Sequence, residues 1–193
     1  MPAHDSNEQD APTGAARCRG CCIWLTGLSG AGKSTIALAL SEAFGRAGHA
    51  SRIIDGDELR RGASSGLGFS RQDRYANVLR AAHMAKDIVS DGGIAVCALI
   101  SPYRDAREDA RRLVGPRRFL EVFVNTPLAV CEARDPKGLY RRYRRGELQG
   151  ISGIDDPYEP PEAPDLILGT ERSPAENVAL VTAVLDRRKL IGC

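Results

Sequence analysis

No run of apolar residues in this chain approaches the ~20 that a membrane-crossing helix needs. The stretch from Met1 to Arg19 also lacks a hydrophobic signal core, so it reads as a flexible tail and a cytoplasmic location is expected. Net charge is nearly absent: 27 basic against 25 acidic side chains leave +2. That balance gives no reason to expect a nucleic acid or a membrane as partner. Six cysteines are present (Cys18, Cys21, Cys22, Cys97, Cys131, Cys193), but no second CxxC or CxH pair completes a zinc site around Cys18-x-x-Cys21. That pair therefore reads as structural or incidental, with thiols kept reduced. A base-reading NKxD segment is missing too, which argues against a GTPase.

What is present is globular: 42% hydrophobic and 27% charged residues over a chain of 193. Cys22 to Thr26 is a short β-branched apolar run, a buried strand. A glycine-rich turn follows, then helical spacing from Lys33 to Arg46, closed by Gly48. Arg52 to Ile54 is a second strand, and residues 58 to 70, rich in glycine and serine, read as a loop. Arg71 to Val89 reads as a long helix and Ile94 to Ile100 as a strand. Asp105 to Leu113 reads as a charged, exposed helix, then Phe119 to Val124 and Leu166 to Leu168 as strands. Glu176 to Lys189 is a closing helix with Val178, Val181, Val184 and Leu185 on its apolar side. Residues 131 to 161 carry many Arg, Gly, Asp and Pro and few core residues, which suits a functional lid. Alternating strands and helices predict an α/β fold with a mainly parallel sheet.

Gly27-Leu28-Ser29-Gly30-Ala31-Gly32-Lys33-Ser34 fits the phosphate-loop pattern GxxxxGKS/T at every fixed position. Small residues let the backbone wrap phosphates with its N–H groups, and the next helix offers its positive end. Lys33 is expected to reach the β- and γ-phosphates of ATP, and Ser34 to ligate Mg2+. The motif says nucleotide rather than reaction. In a chain of this size, an arginine-rich lid favours a kinase, because arginines offset charge on the transferred group and closure excludes water.

Asp55-Gly56-Asp57 follows the second strand, where an α/β sheet binds ligands. Two carboxylates there can hold magnesium through water, and Asp57 can take a proton from an attacking hydroxyl. The same residues equally suit an Asx turn about Gly56. Arg60, Arg61, Arg74 and Arg80 suit an anionic ligand or a solvated basic face. Phe69, one of four phenylalanines, is a base-stacking candidate or a loop anchor. Ser101 ends the central apolar strand and either touches the acceptor or caps the turn at Pro102.

These residues together resemble the adenylylsulfate kinase (APS kinase) family of P-loop kinases. The shared text is Gly27 through Ser34 with Thr35, Asp55-Gly-Asp57 with Arg60, Leu67-Gly-Phe-Ser70, Ile100-Ser-Pro-Tyr-Arg104, Glu121-Val-Phe-Val124, Cys131 through Tyr140, and Gly153-Ile-Asp-Asp-Pro-Tyr158. The resemblance implies one P-loop kinase domain over residues 20–193, with its lid at about 131–161. It implies transfer of the ATP γ-phosphoryl group to the 3′-hydroxyl of adenosine 5′-phosphosulfate (APS), giving PAPS and ADP in sulfate activation.

By position it further implies that Arg60, Arg74 and Asn77 hold the phosphosulfate and ribose, and that Phe69 stacks on the acceptor adenine. Ile100, Ser101 and Gly150 line its pocket, beside Ile151. Arg134 and Lys137 belong to the lid, over ATP and APS respectively. Asp55 joins Ser34 and Asp57 around Mg2+. Lys33, Asp57 and Ser101 are the catalytic candidates, Ser101 matching a serine given a phosphoenzyme role, although in-line transfer needs no covalent step. The resemblance also implies a homodimer. The chain departs from the family at Glu58, Arg61, Ala76 and Ile151, so a paralogue phosphorylating another hydroxyl, or a nucleotide-binding regulator without turnover, are the alternatives.

Overall fold

Residues along a strand face opposite sides of a sheet in turn, and in the first strand both sides are apolar. The structure, a computed structural model, describes residues 20–191. Within it, β1 (Cys21–Thr26) is buried at every position. Cys21, Ile23 and Leu25 face one core cluster, while Cys22 and Trp24 face another. A strand covered on both faces reads as a continuous apolar run rather than an alternating one.

The other strands are β2 (Ser51–Asp55), β3 (Ile94–Ala98), β4 (Phe119–Val124) and β5 (Leu166–Leu168). All pair in parallel, in the order β2-β3-β1-β4-β5. The helices α1 (Lys33–Arg46) and α7 (Pro174–Arg187) supply Ile36, Leu40, Val181 and Leu185 to the first cluster. The helices α3 (Arg71–Ser90) and α4 (Arg104–Val114) supply Val78, Ala81, Ala106 and Ala110 to the second. Every strand therefore points its carboxyl end at the same rim, where ligands of such sheets collect.

Several sequence expectations are met closely. The first helix spans Lys33–Arg46, and it ends as expected at Gly48, whose φ of 80° lets the His49 N–H reach back to Phe44 O at 2.9 Å. Others need correction. Residues 58 to 70 are not all loop, because α2 (Gly56–Arg61) forms there. The Asp55 carboxylate caps it, accepting from the N–H groups of Asp57 (2.9 Å) and Glu58 (3.4 Å).

The helix α4 is charged but not simply exposed, since Ala106, Arg107, Ala110 and Val114 are buried. Residues 131 to 161 are not poor in core contacts either. They contain α6 (Leu139–Arg144) and the end of α5 (Leu128–Arg134), and they bury Cys131, Tyr140 and Ile151. The expected tail, residues 1–19, together with Cys18 and Cys193, lies outside the described residues. No helix among the described residues is long and apolar enough to cross a membrane.

Candidate active site

The phosphate loop leaves the carboxyl end of β1 and turns directly into α1. Its tightness depends on glycine. Gly27 has φ 150°, and a Cβ there would stand 2.6 Å from Val124 O. Gly30 has φ 75°, and its Cβ would meet Cys131 O at 3.0 Å. Lys33 is buried, and its ammonium donates to Gly27 O (2.9 Å) and Leu28 O (2.8 Å). Burial, reinforced by repulsion from Lys137, pulls its pKa down from 10.5 to about 8. Ser34 donates to Asp55 Oδ2 at 2.8 Å, which joins the loop to the end of β2. Arg134, from the end of α5, places Nη1 3.5 Å from both Gly30 O and Ala31 O.

Asp57 lies in the first turn of α2, and its carboxylate contacts the Lys137 ammonium. Of the three expected Mg2+ ligands, Ser34 and Asp55 thus meet, while the Asp57 carboxylate is engaged by Lys137. Arg60 donates to Gly68 O (2.7 Å) and lies over the Phe69 ring, 4.7 Å from its centroid. Phe69 itself is 63% exposed, so nothing in the core holds it as an anchor.

Arg74 is buried and fully engaged. It donates to Phe69 O (2.9 Å), Ser152 Oγ (3.0 Å) and Gly150 O (2.5 Å), and it pairs with Asp156 at 3.3 Å. These bonds tie residues 150–156 to α3. Gly150 and Ile151 both donate backbone N–H bonds to the Asp155 carboxylate, at 2.8 and 2.7 Å. The bond from Gly150 first, then that from Ile151, holds the Asp155 carboxyl below the usual carboxylate range. Asn77 is 6% exposed, and its amide oxygen has no hydrogen-bond partner.

Ser101 has φ 40° and is buried. Its hydroxyl accepts from Trp24 Nε1 (3.1 Å) and donates to Thr26 Oγ1 (3.0 Å), which donates onward to Ile100 O (2.7 Å). The backbone oxygen of Ser101 accepts from Arg107 at 2.7 Å. Cys21, Cys22 and Cys97 do not line the cavity that these groups share. Burial pushes the Cys21 thiol up to about 12 and raises Cys22 well above its ordinary value, with Cys22 Sγ 3.8 Å from Cys97 Sγ.

Most of the expected site residues surround one continuous cavity of about 870 Å3. Ser29 through Thr35, Asp55, Asp57, Arg60, Phe69, Arg74 and Asn77 line it, as do Ile100, Ser101, Arg134, Lys137, Gly150 and Ile151. Gly27 and Leu28 do not line it, but they hold Lys33 through their carbonyls. Sequence reasoning missed Thr126, Thr170, Arg172 and Asn177, which also line it. They follow β4 and β5, so the rule that ligands sit beyond strand carboxyl ends would have found them.

The sequence profile of the family described as adenylylsulphate kinase matches residues 19–169. An adenylyl-sulfate kinase of Geotalea daltonii is 51% identical over 171 residues, 88% of this chain and 84% of that protein. Among solved structures, the Mycobacterium tuberculosis APS kinase in complex with AMPPNP and APS is 41% identical. It aligns over 88% of this chain and 99% of that one, with a TM-score of 0.85. A hexameric APS kinase from Thiobacillus denitrificans aligns over 91% of this chain and 30% of that one, with 32% identity and a TM-score of 0.68. Phosphate loop, sheet order and relatives agree, and the chain belongs to the adenylylsulphate kinase family of P-loop kinases.

Proposed function

We propose that this chain transfers the γ-phosphoryl group of ATP to the 3′-hydroxyl of APS, giving ADP and PAPS. The observation that carries this reading is the single cavity, which runs without interruption from the phosphate loop to Phe69, Asn77 and Ile151. Its volume of about 870 Å3 lies in the upper part of the range of ligand clefts, about 300–1,000 Å3, and its lining carries the candidate groups for both donor and acceptor. Of the four departures from the family pattern, only Ile151 lines the cavity. Glu58, Arg61 and Ala76 do not, which favours APS over another acceptor.

In this reading the loop amides and Lys33 hold the β- and γ-phosphates, exchanging the lysine's bonds to Gly27 O and Leu28 O for bonds to phosphate oxygens. Ser34 Oγ and the Asp55 carboxylate are the hard oxygen donors that Mg2+ takes together with phosphate and water. When bound, magnesium offsets charge on the transferring group. Asp57 takes the proton of the acceptor hydroxyl once ligand binding draws Lys137 away toward phosphate. Arg60 and Lys137 meet the acceptor's anionic groups, and Phe69 stacks on its base.

Ser101 acts by position, because its proton is already given to Thr26. Residues 131–161 close over both nucleotides, with Arg134 on the donor side. A homodimer is the assembly we infer from the resemblance, with sedimentation equilibrium as its check.

The test is incubation of purified protein with ATP, Mg2+ and APS, with adenosine and 5′-AMP as control acceptors and chromatographic detection of PAPS and ADP. APS-dependent PAPS formation that is lost in Lys33→Ala and Asp57→Asn is the expected result. ATP binding without PAPS would overturn APS as acceptor and point to another hydroxyl.

A further inference from the structure

Asn177 lies in the first turn of α7, 5% exposed, and its amide oxygen has no hydrogen-bond partner although the residue lines the cavity. Buried amide oxygens are nearly always paired, so an orphan on a side chain that lines a ligand cavity marks a place for a donor once the amide turns toward the ligand. The turn that carries it is rigid. Ser173 and Glu176 form a reciprocal capping box, Pro174 occupies the first turn, and Asn177 N donates to Ser173 O at 3.1 Å.

Sheet order says what that donor is. The acceptor-side groups Asp57, Arg60 and Asn77 follow β2 or precede β3, on one flank of β1. The phosphate loop follows β1 itself. Gly169, Thr170 and Asn177 follow β5, on the opposite flank, and line the same cavity. A donor nucleotide with its phosphates in the loop and its γ-phosphate toward the acceptor has only the β5 flank left for its base. Asn77 has the same unpaired amide oxygen at the acceptor end, so a buried asparagine with one such oxygen lines each end of the cavity.

We propose that Asn177 reads the base of the phosphate donor. Its Oδ1 accepts from the exocyclic 6-amino group of adenine while its Nδ2 donates to the ring nitrogen N7. That paired contact suits adenine, whereas a 6-oxo purine sets its carbonyl oxygen against Oδ1. The inference rests on the reading that the loop binds ATP, and it adds the residue that selects adenine over other purines.

Calorimetric binding separates the two. ADP and IDP differ in the 6-substituent, and inorganic tripolyphosphate has no base. Wild-type protein is expected to bind ADP about tenfold more tightly than IDP, the size of one good hydrogen bond. Asn177→Leu should bind ADP and IDP equally, at the wild-type IDP level, with tripolyphosphate binding unchanged. Thermal unfolding without ligand checks that the variant is folded. Asn177→Ala, which adds no bulk, carries the same comparison if the leucine does not pack. A preference for ADP that survives in the variants, or is missing from the wild type, overturns the role of Asn177. Wild-type protein that binds neither nucleotides nor tripolyphosphate overturns the ATP reading itself.

Discussion

The Ser34 hydroxyl donates to Asp55 Oδ2 at 2.8 Å, so the first residue after the phosphate-loop lysine is tied to the last residue of β2. Asp55 caps α2, and in the proposed mechanism it would have a second, separable duty toward magnesium. Asparagine caps a helix about as well as aspartate, but it lacks the charge that a hard cation prefers. Asp55→Asn should therefore leave thermal stability nearly unchanged and raise the Mg2+ concentration needed for half-maximal turnover at least tenfold. Titrating turnover with Mg2+ beside a melting curve checks this, and an unaltered Mg2+ dependence would remove Asp55 from the metal site.

Lys33 supplies the pH dependence. Its folded pKa of about 8 lies below the ordinary 10.5, so between those values the unfolded chain binds a proton that the folded one does not. Stability then rises with pH across that window, as the cost of burying the ammonium is relieved. Polyphosphate in the loop restores the charged form, so ADP binding near pH 8 to 9 should take up a proton and weaken as pH rises. Calorimetry in buffers of different ionisation enthalpy measures that uptake. No uptake at pH 8.5 would mean that Lys33 stays charged without ligand.

Where local chemistry dictates structure, the sequence could be read almost residue by residue. The α1 boundaries follow from the loop lysine and from Gly48, and β4 and β5 follow from apolar runs bounded by turns. The helix α2 escaped notice because six residues are too few for a period to show. Asp55 as cap, acids in its first turn and arginines in its last were nonetheless its signature. The exposure of α4 was misread because a buried arginine is invisible until its partners are known. The phosphate-loop residues and the acceptor candidates that line the cavity were legible through motifs. Thr170 and Asn177 carry no motif, and only the sheet order brings them to the cavity.

Phe69 offers a test of binding free of stability effects. Its ring is mostly exposed and is covered on one side by the Arg60 guanidinium, so truncation removes little from the core. Base stacking on an aromatic is worth about 1–3 kcal/mol. Phe69→Ala should raise KM for APS roughly 5- to 150-fold on that scale. The KM for ATP and the melting temperature should hold. A matching rise in KM for ATP would show that Phe69 shapes the whole cavity rather than the acceptor end.

Arg107 is the opposite case, a charge 2% exposed whose removal should be felt everywhere. It donates to Glu121 Oε1 (2.8 Å), Ser101 O (2.7 Å) and Glu159 O (2.7 Å), joining α4 to β4, to the turn after β3 and to the end of the segment 131–161. Breaking a buried pair from one side costs about 3–5 kcal/mol, because the partner keeps its charge without compensation. Glu121 retains Arg111 at 3.4 Å, which places Arg107→Ala at the lower end, about 3 kcal/mol. Lysine keeps the charge but cannot form three directed bonds at once, so Arg107→Lys should recover part of the stability in urea denaturation. It should not recover turnover, because Ser101 and Glu159 would no longer share one anchor. Full activity in Arg107→Lys would mean that the charge alone, and not the fork, holds the site in place.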